Sequence, residues 1–80
     1  MFIPAVPLSS LECGETAAVA SLHLSPAIRS RLMAAGLIPG TMVRCLRKKK
    51  DSLAAYEIRS AVIAIRLQDA AFILVRKNTE

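Results

Sequence analysis

The sequence has no tryptophan, one tyrosine, two phenylalanines, one histidine, two cysteines and three glycines. Each scarcity closes off a class of function. Phe2, Tyr56 and Phe72 are the only aromatics, so there is little surface for stacking nucleic-acid bases or caging an aromatic ligand. His23 stands without an acidic residue at ligand spacing, and a structural or surface role is expected for it. Cys13 and Cys45 form no C-x-x-C pair, and two thiols do not make a zinc framework. A lone disulfide would be a thin staple for a secreted domain of this size, so reduced cytosolic cysteines are expected. Glu12 and Glu15 are close enough in sequence to share a cation. A hard cation wants about six oxygen ligands, however, and the carboxylates are scattered along the chain. No apolar run approaches the roughly 20 residues that span a bilayer. The apolar start lacks a positive leader region and is interrupted by Pro4 and Pro7, which makes it a poor signal peptide. With no nucleophile–base pair in view, no catalytic residue is expected and the chain does not read as an enzyme.

What is there is a dense supply of small aliphatic side chains. Hydrophobic residues make up 54% of the 80 residues. A chain this short forms one domain and buries only roughly 60% of its unfolded surface, so its core must be tightly filled. Residues 1–7 read as an extended arm, residues 8–76 as the domain and residues 77–80 as a tail. Leu8 and Leu11 are placed to drop into a core groove.

Gly14 marks a turn, and a first strand is predicted over residues 16–24, with Val19 facing inward. Ser25 and Pro26 then signal a helix start, because serine can accept from free amide hydrogens and proline at the first helical position loses no needed donor. The helix is predicted over residues 26–35, with Ile28, Leu32 and Ala35 on one face. Gly36 stops it, and Pro39 with Gly40 predicts a type II turn over residues 38–41. A strand over residues 41–48 follows. Three further period-two segments come after it, carried by Tyr56 and Ile58, Ile63 and Ile65, and Ile73 and Val75. About five short strands with one short helix after the first predict a mainly β fold, a small partly open barrel.

The net charge of +5 leaves three partners open: nucleic acid, an anionic lipid surface or an acidic protein face. Arg47, Lys48, Lys49 and Lys50 form one basic tract, and Arg29 and Arg31 lie on the helix. Their plain reading is a solvated basic face. The sharper one is that they steer the domain onto an acidic GTPase surface or an anionic inner leaflet. Gly36 and Gly40 do not form a phosphate loop, since no G-K-[ST] follows them.

The residues Arg31, Leu32, Gly36, Leu37, Pro39, Gly40 and Val43 resemble the R-L-x-x-x-G-L-x-P-G-x-x-V signature of FeoA domains. Leu8, Leu11, Gly14, Ala17 and Val19 resemble the family's opening pattern, and the run from Ile63 to Arg66, with Ile73 and Val75, its closing strands. The sequence departs from the family at Lys48-Lys49-Lys50-Asp51-Ser52, where members often carry Gly and Pro, and at Ser60-Ala61, where many have a glycine. The resemblance implies an SH3-like barrel with a helix inserted after the first strand. Leu32, Gly36, Pro39, Gly40 and Val43 are its fold signature. It further implies a small cytoplasmic accessory without a cofactor or metal of its own, partnered with FeoB, the membrane ferrous-iron permease that carries a cytosolic GTPase domain. Related domains end iron- and manganese-responsive repressors. No helix-turn-helix segment is seen here, so the free-standing form is expected. A homodimer through an apolar edge stays open, and a small basic barrel binding nucleic acid or another protein is the alternative.

Overall fold

The computed structural model describes residues 4–77. The outer parts of the expected arm and tail, residues 1–3 and 78–80, lie outside the described residues. The element order is β1 (Val6–Pro7), a 3-10 turn (Leu8–Ser10), β2 (Thr16–Leu22), α1 (Pro26–Ala34), β3 (Met42–Lys48), β4 (Leu53–Ile58), β5 (Ala61–Arg66), α2 (Leu67–Ala70) and β6 (Ile73–Lys77). All pairings are antiparallel, in one sheet of order β1-β6-β2-β3-β4-β5. The fold is therefore mainly β and SH3-like, with the expected strands in place and a short edge strand, β1, added where the arm pairs with β6.

The inward side chains of the sheet form the core. Val19, Val43, Cys45, Tyr56, Ile58, Ile65, Ile73 and Val75 are all buried there. Leu8 and Leu11 close one end from the 3-10 turn, and the Tyr56 hydroxyl donates to the Leu8 carbonyl at 3.4 Å. Burial drives the Tyr56 phenol well above its ordinary pKa, so it stays a donor at any physiological pH.

Two bulges break the strict alternation. In β2 the register shifts between Val19 and Ser21, which moves the inward phase so that Leu22 is buried. In β3 it shifts between Cys45 and Arg47. Leu46 is the extra residue and stands half exposed, while Lys48 moves to the inner side opposite buried Ala54.

Helix α1 begins at Pro26, as read from the sequence. Ser25 holds the cap position, but its hydroxyl makes no capping hydrogen bond; its carbonyl accepts from the Arg29 amide at 2.9 Å. The expected apolar face is weak: Leu32 packs against the core, Ile28 is only partly covered and Ala35 is exposed. The C-terminal end is much better defined. The Leu37 amide reaches back to the Leu32 carbonyl at 3.0 Å and the Gly36 amide to Met33 at 3.0 Å, with Gly36 at φ +110°. These paired bonds satisfy the last helical carbonyls, and only glycine takes that conformation without strain. The predicted type II turn follows, its Thr41 amide on the Ile38 carbonyl at 3.0 Å and Gly40 at φ +92°.

The helical turn α2 was not anticipated from the sequence. It carries the chain from β5 to β6 and buries Ala70. The β4–β5 hairpin pairs Ile58 with Ala61 across Arg59 and Ser60, both at positive φ, 51° and 69°. That is a type I′ turn built without glycine or asparagine.

Candidate functional site

Helix α1 stands between β2 and β5, with a hollow on each flank. One hollow, of about 340 Å³, lies against Ser21 and His23 of the β2 end and is lined by Arg29 and Met33 from the helix. The other, of about 270 Å³, lies between α1 and the β5–α2 corner. Ile28, Leu32, Leu53 and Ala64 give it apolar walls, and Arg31, Arg66 and Asp69 rim it. A smaller hollow of about 210 Å³ adjoins it, with Leu53 and Ala64 common to both and Arg47 and Lys49 at its border.

Strand register explains this second floor. Ala55 pairs with Arg47 on one side and Ala64 on the other, and Leu53 pairs with Arg66. The outer face of β3–β5 therefore carries small or aliphatic side chains in the middle and cations beside them. Together the two hollows form one basic groove, in which Arg31, Arg47, Lys49 and Arg66 face a single acid, Asp69.

The helix turns the two arginines expected to act together to opposite flanks, Arg29 toward His23 and Arg31 into the groove. The basic tract divides as well. Arg47 and Lys49 border the groove, and Lys50 is exposed on the β3–β4 loop. Lys48, shifted inward by the bulge, donates from Nζ to the Ser9 carbonyl at 2.8 Å and ties the hairpin to the 3-10 turn. Sequence reading missed Leu53, Ala64 and Arg66 as groove residues. The signal was available in their outward register positions on β4 and β5.

The remaining candidates are occupied in the fold. His23 Nε2 and the Ser21 hydroxyl share a hydrogen bond of 2.9 Å at an exposed site. Glu15 accepts from the Glu12 amide at 2.7 Å and pairs with Lys77 at 3.5 Å. The backbone hydrogen bond and then Lys77 hold its carboxyl below the usual range. Among the described residues, no group of three or more His, Cys, Asp or Glu side chains is arranged to hold a metal ion. No helix among them is long and apolar enough to cross a membrane.

The groove combines an apolar floor with a rim of cations whose guanidinium and ammonium groups can pair with carboxylates.

Comparison with known proteins agrees with the architecture. Residues 6–77 match the FeoA domain family. A crystal structure of an iron uptake regulatory protein, FeoA, is similar at a TM-score of 0.86 and 25% identity, covering 94% of this chain and 100% of that one. The FeoA protein from Chlorobium tepidum is similar at a TM-score of 0.88 and 29% identity, covering 92% of this chain and 71% of that one. The FeoA of Stenotrophomonas maltophilia, solved in complex with zinc and described as a prokaryotic SH3 domain protein, is similar at a TM-score of 0.76 and 27% identity, covering 88% of each chain. A manganese-dependent transcriptional repressor, at 21% identity, shares the fold over 44% of its length. Comparison with curated proteins gives no match. The chain belongs to the FeoA domain family, small SH3-like proteins related to ferrous-iron transport.

Proposed function

We propose that this protein is a non-enzymatic cytoplasmic accessory of ferrous-iron transport that docks through its basic groove on the cytosolic GTPase part of a FeoB-type permease and modulates it. Family membership supports the transport role. The observation that carries the docking surface is the convergence of Arg31, Arg47, Lys49 and Arg66 on the apolar floor of Leu53 and Ala64. Such a rim attracts an acidic partner over a distance and selects its orientation, while the floor supplies contact area after water is displaced. Iron enters this reading as the partner's cargo.

Nucleic acid fits the same charge less well. Phe72 is the one exposed aromatic among the described residues, and it does not line the groove. Base stacking would therefore have no platform beside the cations.

The test is co-purification with the organism's own FeoB, followed by binding measurements on the double variant Arg31→Glu/Arg66→Glu. Both side chains are exposed, so circular dichroism should match the wild type. The expected result is a complex with wild type and binding weaker by about 10-fold or more in the variant, with the larger loss in the association rate at low salt. Equal affinity of the two proteins would remove the groove from the account. Normal ferrous uptake in a strain lacking this protein, with no complex, would remove the transport role.

A further inference from the structure

The turn before β2 brings the only two cysteines of the chain together. The Glu15 amide donates to the Glu12 carbonyl at 3.0 Å, and Gly14 holds φ +91° at the third position. This is a second type II turn, with Cys13 at its second position. The Gly14 amide then donates to the Cys45 carbonyl at 2.6 Å, and the Cys45 amide donates to the Glu15 carbonyl at 3.0 Å. Gly14 and Glu15 thus both oppose Cys45, which is the arrangement of a glycine bulge. Cys13 lies at the corner of this turn, exposed, beside the fully buried Cys45 of β3.

Burial pushes the Cys45 thiol up, and the neighbouring Cys13 sulfur pushes it further. The two differ in access as well: Cys13 meets solvent, whereas Cys45 is enclosed by the barrel end. An exposed thiol beside a shielded one is the division of labour between a peroxide-reacting cysteine and its resolving partner.

We propose that Cys13 and Cys45 are an oxidation site, converted by a peroxide into an intramolecular disulfide that fastens the residue 12–15 turn to β3. The inference is independent of the docking groove. The Cys13 thiolate attacks one peroxide oxygen and breaks the O–O bond, giving a sulfenic acid and a hydroxide that takes up a proton to become water. The Cys45 sulfur then attacks the Cys13 sulfur, its proton leaves with the sulfenic oxygen as a second water, and the S–S bond forms. Two thiols and one hydrogen peroxide give one disulfide and two waters, with peroxide reduced and both sulfurs oxidised.

The experiment treats the folded full-length protein with hydrogen peroxide and follows intact mass, dimedone trapping and thiol alkylation. The expected product is a monomer lighter by about 2 Da, resistant to alkylation after unfolding, with a peptide cross-link between Cys13 and Cys45 and a melting temperature raised by roughly 10 °C. Cys13→Ser, a change at an exposed position, should abolish the mass loss. Cys45→Ala should leave Cys13 as a dimedone-trapped sulfenic acid if that variant folds, and Cys13→Ser suffices if it does not. A dimedone adduct at Cys13 in the wild type without mass loss, over-oxidation at that residue, or a dimer linked through it would overturn the proposal.

Discussion

Within residues 26–43, the helix and the segment that leaves it are built on opposite principles. No residue of α1 is fully buried, and its Arg29, Ser30, Arg31 and Met33 face solvent. Beyond the helix, Leu37 and Val43 are buried and Gly36 and Gly40 hold positive φ. The family signature runs across both, but its energetic weight lies in the exit rather than in the helix. The exit fixes where α1 sits, and the weakly embedded helix is left with two flanks for other work. One of those flanks is a wall of the basic groove.

The sharpest way to break this comparison is a pair of truncations. Leu37→Ala should cost about 2–5 kcal/mol, the range for emptying a fully enclosed aliphatic site, and Ile28→Ala in the helix less than about 1 kcal/mol. Urea denaturation of both variants checks it; equal losses would mean that the helix is anchored by its own stripe. Next in size is Gly36→Ala. Its backbone conformation is closed to side chains at a cost of about 1–2 kcal/mol, and a Cβ there would meet Ile58 Cγ2 at 3.4 Å. A melting temperature unchanged from wild type would show that the helix end can relax.

The smallest expected effect has the opposite sign. Arg59 and Ser60 hold a type I′ turn that asparagine and glycine occupy without strain. Arg59→Asn with Ser60→Gly should therefore stabilise the β4–β5 hairpin by about 1 kcal/mol, read as a higher urea midpoint. No gain would mean that the present pair is held by contacts outside the turn.

Most of the fold was legible because its signals are local. Ser25 and Pro26 mark the helix start, Gly36 the stop, and Pro39 with Gly40 the reversal, each through backbone geometry that few residues satisfy. Period-two alternation located four strands. It failed where a bulge changed phase: strict alternation gives no reason for Leu22 and Lys48 to turn toward the core while Arg47 turns out. It also passed over α2, whose four residues carry no cap signal and follow a strand without a glycine or proline. The groove was half legible. Arg31, Arg47 and Lys49 were identifiable as cations, but their convergence depends on strand register and on the angle of α1. Arg29 and Lys48 looked equivalent to them in sequence and are separated from them by helical rotation and by the β3 bulge.

The measurement that bears most directly on the docking surface is an NMR titration of the isotope-labelled protein with the cytosolic GTPase domain of FeoB. The account predicts that amide shifts concentrate at Arg31, Leu53, Ala64 and Arg66 and weaken as salt is raised. Shifts confined to the other flank of α1, around His23, Arg29 and Pro39, with the groove unmoved, would contradict it.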